Sequence, residues 1–288
     1  MPRSSIPGSR RLSVNLTESL IEALEARRER TGETLDHIVQ NALAEGLGVD
    51  HHTLFQVSTA NALVQGVYQG CVTVGTLKTH GDFGLGTYDG LDGEGLMLDG
   101  RVYQALGDGS VVEPADSATA PFWVTTQFRP DRTVTLSAVD GWDDLCAQID
   151  AQRASANLFA AIRIDGLYET IQYRVACKSP PGMDLVAATS HQAEFTAKEF
   201  EGTLLGFWSP AYARTFNIPG YHLHALSQDR RSGGHVLGLN GRGLRLQLMD
   251  VDNLVMALPE TPQFLAADLT GDPSAALRKA EGADAKGH

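Results

Sequence analysis

The sequence predicts a β-rich α/β protein whose first fifty residues form a small unit of their own. Thirty glycines among 288 residues indicate many turns, which favours β-structure. From residue 53 onward, short apolar runs alternate with polar residues, as in strands that have one buried face. The first fifty residues instead carry apolar residues at helical spacing. This contrast separates the chain into two regions.

The N-terminal unit, residues 10–48, is predicted to be a strand followed by two helices. Residues 11–17 alternate in polarity, which predicts a short strand. Its two faces would carry Leu12, Val14 and Leu16 on one side and Arg11, Ser13 and Asn15 on the other. Thr17 then caps a helix that Gly32 ends, and a second helix spans 33–47. So small a unit cannot bury its apolar faces alone, and it therefore needs a partner.

This order of elements resembles the ribbon–helix–helix family. The resemblance implies that two chains pair through their strands and that outward side chains enter the DNA major groove, here Arg11, Ser13 and Asn15. The alternative is that the unit only joins two copies of the chain or binds another protein. The first fifty residues hold six arginines and eight acidic residues, and this net negative charge disfavours binding to the DNA phosphates.

The larger region, residues 53–282, is predicted to be the catalytic part of the chain. Residues 1–9 are expected to be disordered, 49–52 a solvated linker and 283–288 a flexible tail. Asp99-Gly100 between two apolar runs is a strong hairpin signal. Other elements are expected as helices at 60–69 and 137–156, tight turns over 84–95, and strands at 158–175, 203–208, 221–227, 235–239, 243–249 and 253–257.

Charge and composition exclude several classes of protein. A formal net charge of −12 argues against general nucleic-acid binding, because an acidic protein repels phosphate. The three cysteines lie far apart without a CxxC pair, so neither a thiolate zinc site nor a disulfide framework is expected. No stretch approaches the roughly 20 apolar residues of a membrane span, and no apolar run follows the basic N-terminus. We therefore expect a cytoplasmic protein.

Three of the nine histidines lie within residues 220–235. On a strand, His222 and His224 point to the same face, about 7 Å apart at Cα. A glycine-containing turn follows, and a hairpin would bring His235 alongside them. Three neutral imidazoles leave an open coordination position, which is the pattern of catalytic zinc sites, although other first-row metals also fit. The alternative is that these are unconnected core or surface histidines.

Several long motifs, in order along the chain, resemble α-acetolactate decarboxylase. They are Leu54–Thr59, Gly75–Tyr88, Leu91–Glu94, Leu98–Gln104, Gly202–Pro210 and Gly220–His224. The resemblance extends from about Leu54 to Glu281. It implies a β-sheet domain and a β-barrel domain around a zinc ion, and a homodimer.

The resemblance also implies roles for single residues. The zinc ligands would be His222, His224 and His235. The remaining active-site residues would be two glutamates, an arginine and a threonine: Glu94, Glu281, Arg174 and Thr87. One departure is local, since Val-Ala-Cys follows Arg174 where the family usually has Thr-Val-Pro.

The implied reaction converts 2-acetolactate (2-hydroxy-2-methyl-3-oxobutanoate) to acetoin and carbon dioxide through a metal-stabilised enediolate. Arg174 would orient the leaving carboxylate, and either Glu94 or Glu281 would deliver a proton. A second hypothesis is a DNA-binding regulator that senses acetolactate with this domain. A cupin-type oxygenase is disfavoured, because Ser227 and Gln228 occupy the region where that family expects a glutamate.

Overall fold

In the computed structural model of the chain, residues 12–47, 52–180, 182–190 and 192–281 are described. The chain divides into two compact units, residues 1–51 and 52–288. The predicted disordered segment 1–9, most of the predicted linker and the predicted tail lie outside the described residues. Among the described residues, no helix combines the length and the apolar character needed to cross a bilayer.

The N-terminal unit contains helices α1 (Glu18–Thr31) and α2 (Leu35–Leu47). Thr17 occupies the N-cap of α1, and Gly32 ends the helix in the left-handed conformation with φ 74°, as predicted. Helix α2 begins two residues later than predicted. The reason is Thr34, whose Oγ1 accepts a hydrogen bond from the His37 backbone N–H at 3.2 Å and so caps the helix.

The predicted strand of this unit is not formed within the described residues. Residues 12–17 have no regular secondary structure, and Arg11 lies outside the described part of the chain. A strand needs a neighbouring strand for its backbone hydrogen bonds, and no described residue of the chain pairs with residues 12–17. Leu12 and Val14 are 78% and 64% exposed, so the apolar face of the segment is uncovered.

The larger unit contains short helices and fourteen strands among its described residues. The helices are α3 (Ala60–Val64), α4 (Val74–His80), α5 (Trp142–Asp150), α6 (Leu185–Thr189), α7 (Pro262–Ala266) and α8 (Ser274–Ala280). The strands are β1 (Thr53–Val57), β2 (Val72–Thr73), β3 (Phe83–Thr87), β4 (Glu94–Leu98), β5 (Arg101–Ala105), β6 (Val111–Val112), β7 (Thr119–Ala120), β8 (Phe122–Thr126), β9 (Arg132–Asp140), β10 (Phe159–Val175), β11 (Ala193–Ser209), β12 (Gly220–Ser227), β13 (Gly233–Val251) and β14 (Asn253–Ala257).

The first large sheet has seven strands in the order β14-β1-β8-β3-β4-β5-β6. Its neighbours are antiparallel except for β1 and β14, which are parallel. The predicted hairpin at Asp99-Gly100 joins β4 to β5 and is confirmed. Both turn residues have positive φ, 52° and 77°, as a type I′ turn requires.

The second large sheet has five strands in the order β10-β11-β12-β13-β9, and β13 also pairs with β10. Strands β10 to β13 therefore form a closed ring of pairings, while the barrel that the resemblance implies stays a prediction. A large core cluster joins the two sheets, and within it the ring of Phe83 on β3 lies edge-on to Phe207 on β11 at 5.9 Å. This packing fixes the position of the β12–β13 histidines relative to β3 and β4.

Three predictions about the larger unit were wrong in detail. Residues 137–140 belong to strand β9, and the helix is confined to Trp142–Asp150, because Gly141 at φ 91° separates the two. The first helix ends at Val64, just before Gly66 at φ 78°. His52 is not a solvated linker residue, since its Nδ1 lies 2.6 Å from the Asp250 carbonyl oxygen.

The glycine run over 84–95 does not consist of turns alone. Gly86 lies within β3, and Gly95 lies opposite it on β4. A Cβ added at either position would meet the indole ring of Trp123 on the adjacent strand β8. These glycines therefore provide room for a fully buried tryptophan.

Candidate active site

The three predicted metal ligands come together at the start of the β12–β13 hairpin. The two-residue period of β12 places His222 and His224 on one face, and His224 pairs in register with His235. Ligand nitrogens of all three rings lie within 4.8 Å of one another. The two Nε2 atoms of His222 and His224 are 3.1 Å apart. The interpretation as unconnected histidines is therefore wrong.

Their surroundings suit a metal ion. His224 is fully buried, and its Nδ1–H donates to the Gly95 carbonyl oxygen at 3.0 Å, which leaves Nε2 free of a proton. Burial, with a smaller contribution from His222, lowers the pKa of His224 well below its usual value and keeps the ring neutral. Three converging imidazoles beside a cavity match the donor set of a catalytic zinc site and of other first-row metals.

Glu94 is the first residue of β4 and reaches the same histidines. Its Oε1 accepts a hydrogen bond from the Ala176 N–H at 3.0 Å, and its Oε2 lies 3.5 Å from Nε2 of His224. Burial raises the pKa of Glu94 to about 7, although the Ala176 N–H and Arg174 act in the opposite direction. The carboxyl group is thus held at one oxygen and directed towards the histidines with the other.

Arg174 and Glu281 lie beside His235. Arg174 is a buried residue of β10, in register with His235 on β13. Glu281 follows helix α8, and its Oε2 lies 3.4 Å from Nε2 of His235 and 4.0 Å from a terminal nitrogen of Arg174. Residues that are more than a hundred positions apart in sequence therefore meet at one point, as the resemblance implies.

Thr87 lies at the end of β3 and is buried. Its Oγ1–H donates to the carbonyl oxygen of Gly93 at 2.9 Å. That hydrogen bond spans the loop between β3 and β4, which ends at Glu94. Thr87 thus fixes the backbone just before Glu94, and it also lines the cavity.

A cavity of about 60 Å³ connects these groups. Thr87, Glu94, Arg174, Glu281, His222 and His235 all line it. Its apolar walls come from several elements: Leu63, Leu91, Phe122, Leu185, Ile218 and Leu277. Thr189, the last residue of α6, and Gln192 also line it and were missed, because single polar residues carry no spacing signal.

The predicted DNA-contacting residues lie elsewhere. Ser13 and Asn15 are exposed in the irregular segment before α1, and Arg11 is outside the described residues. Neither described residue forms part of the cavity described above.

Fold and site together define a β-rich α/β protein with a candidate metal centre that faces two carboxylates and a guanidinium. The profile of the alpha-acetolactate decarboxylase family matches residues 54–271. The chain belongs to this family and is a carboxy-lyase.

Similar proteins support this assignment over most of the chain. The alpha-acetolactate decarboxylase of Methylococcus capsulatus is 38% identical over 246 residues, which are 85% of this chain and 95% of that protein. That of Brevibacillus brevis is 36% identical and covers 80% of this chain and 81% of its own length. The crystal structure of the Bacillus subtilis strain 168 enzyme superposes with a TM-score of 0.77 at 34% identity, covering 80% of this chain and 99% of the other.

Proposed function

We propose that the chain decarboxylates 2-acetolactate to acetoin and carbon dioxide, with a zinc ion held by His222, His224 and His235. One observation carries the proposal: three imidazoles converge, and two of them, His222 and His235, line a small cavity together with Arg174, Glu94 and Glu281. The family assignment supplies the substrate. The three histidines also match the ligand number of a catalytic zinc site with an open position.

The chemistry of the substrate explains why these groups are needed. Its ketone lies β to the carboxylate, so the loss of carbon dioxide leaves an enediolate. When bound, zinc supplies a Lewis acid beside the negative charge that develops. Arg174 is a fixed cation in a buried position, and it binds and orients the carboxylate before carbon dioxide leaves.

A proton must then reach carbon. Glu94 and Glu281 each place a carboxyl oxygen within 3.5 Å of a histidine of the cluster, Glu94 at His224 and Glu281 at His235. Either carboxyl group can act as the proton donor to a substrate bound beside these histidines. The apolar walls around them exclude water, which strengthens every charge interaction inside the cavity.

The direct test is acetoin release from racemic acetolactate by the purified full chain. Chelation should abolish the release, and added zinc should restore it. His222→Ala should be inactive, whereas His37→Ala, which removes an imidazole from the N-terminal unit, should keep wild-type activity. A metal-replete sample that forms no acetoin would overturn the proposal.

We also propose that the N-terminal unit joins two copies of the chain. Its support is the uncovered apolar surface of the segment 12–16 and of both helices. The exposed apolar residues are Leu12, Val14, Leu16, Leu20, Ile21, Leu43 and Leu47. Pairing of two such segments would supply the strand neighbour that residues 12–17 lack among the described residues.

Light scattering of the full chain tests this pairing. Val14→Glu, on the apolar face, should halve the mass of the particle, whereas Ser13→Glu, on the polar face, should leave it unchanged. Equal masses for the wild type and Val14→Glu would refute the pairing. DNA binding is the weaker proposal, and a gel shift at low salt with and without Arg11→Ala tests it.

A further inference from the structure

A second and larger cleft adjoins the metal cavity. Its volume is about 660 Å³, and it shares three wall residues with the metal cavity: Ile218, Leu277 and Glu281. Trp208 and Tyr212 form part of its outer wall, and Tyr212 is 57% exposed, so the cleft meets solvent. The cleft is therefore a path between solvent and the candidate active site.

The charge of this cleft is opposite to that of the protein. The chain has a formal net charge of −12, which repels an anionic substrate. The charged residues that line the cleft are nevertheless two arginines and one glutamate, Arg214, Arg278 and Glu281. The lining therefore carries one more positive than negative charge beside the cavity where Arg174 lies.

Arg278 is the more available of the two cations. Arg214 lies 3.9 Å from a carboxylate oxygen of Asp272. That carboxylate also accepts hydrogen bonds from the N–H and Oγ–H of Ser274. Arg278 is exposed and, among the described residues, forms no ion pair within 4.0 Å. Its charge contributes, after the Ser274 hydrogen bonds and Arg214, to the lowered pKa of Asp272. It stands one helical turn before Glu281, which reaches His235.

We infer that this cleft is the substrate's entrance and that Arg278, assisted by Arg214, attracts the substrate carboxylate towards Arg174. The inference rests on the proposed function. It assigns Arg278 a role in capture and none in the chemical step. Substitution should therefore change kcat/KM and leave kcat unaltered.

The size of the effect follows from Coulomb's law in water. One unit charge about 7 Å from the path changes local anion concentration about threefold at low ionic strength, and a reversal of charge changes it about sevenfold. In about 1 M salt the screening length falls to about 3 Å, and both effects should vanish. We expect Arg278→Gln to lower kcat/KM about threefold, Arg278→Glu about sevenfold, and Arg278→Lys hardly at all.

Lys279 provides a matched control. It is the next residue of the same helix and is also exposed, but it lines a different groove. Lys279→Gln and Lys279→Glu change net charge by the same amounts and should leave kcat/KM near the wild-type value at every salt concentration. Equal effects at the two positions, or effects at Arg278 that persist in high salt, would overturn the inference.

A non-reactive anion separates this inference from the proposed function. 2-Hydroxy-2-methylpropanoate lacks the ketone, and its binding can be measured by calorimetry without turnover. Suppose that the Arg278→Glu variant binds this anion more weakly than the wild type does, and that the wild type forms no acetoin. The proposed function then fails and the entrance stands. If the wild type forms acetoin and Arg278 substitutions change neither kcat/KM nor anion binding, the entrance alone fails.

Discussion

The substitution Gly95→Ala should weaken metal binding through a residue that is not itself a ligand. The carbonyl oxygen of Gly95 accepts the Nδ1–H hydrogen bond of His224 at 3.0 Å. A Cβ at this position would meet the Trp123 indole ring and lie 3.0 Å from the carbonyl oxygen of Gly86. Strand β4 must therefore shift, and the acceptor that orients His224 shifts with it.

Two magnitudes follow from these contacts. Overpacking in a rigid core costs about 1–3 kcal/mol of the free energy of unfolding. Loss of an outer hydrogen bond to a metal-bound histidine costs about 10- to 100-fold in metal affinity. We therefore expect Gly95→Ala to lower both the free energy of unfolding and the zinc affinity. Gly95→Ala combined with Trp123→Leu should recover most of the zinc affinity, because the smaller side chain leaves room for the added methyl group.

Competition with a chromophoric zinc chelator measures the affinity, and urea unfolding measures the stability. Gly84→Ala is the matched control, because its Cβ would meet Val124 on β8, whereas Gly84 makes no hydrogen bond to the histidines. This control should lose stability and keep zinc affinity. Wild-type zinc affinity in destabilised Gly95→Ala would refute the argument that this carbonyl orients His224.

Three further predictions concern the chemistry and the core. Arg174→Lys should lower the rate of acetoin formation about 100-fold or more, because a lysine ammonium lacks the planar fork that holds a carboxylate; steady-state kinetics would show this as a fall in kcat. Among Glu94→Gln and Glu281→Gln, the variant that removes the proton donor should lose about 10²- to 10⁴-fold in kcat, measured with zinc content verified. Equal, small losses would place the donor elsewhere. Leu145→Ala should reduce the free energy of unfolding by about 2–5 kcal/mol without changing zinc affinity, since Leu145 is fully buried in the core beside β9–β13; a change in affinity would contradict the separation of core and site.

The histidine cluster could be predicted from the residues themselves. The two-residue period of a strand places His222 and His224 together, and a hairpin returns the chain at His235. Arg174 and Glu281 were identified only through the resemblance, because the spacing of single charged residues says nothing about which distant strands meet. Their convergence depends on the β10–β13 register and on the position of α8.

Other features depend on tertiary packing and could not be predicted locally. Ala138 and Val139 have apolar side chains that also suit a helix, but the pairing of 138–140 with β13 makes this segment a strand. Gly86 and Gly95 suggest turns in sequence, whereas their role is to make room for Trp123 from another strand. The segment 12–17 alternates as a strand should, yet the described part of the chain offers it no neighbouring strand.

The central claim is that the three histidines hold the metal that the reaction needs. Metal content and acetoin release, measured on the same samples of the wild type and of His222→Ala, test it most directly. We predict about one zinc ion per chain and acetoin release for the wild type, with both lost in a folded His222→Ala. A folded His222→Ala that still forms acetoin at the wild-type rate would contradict the claim.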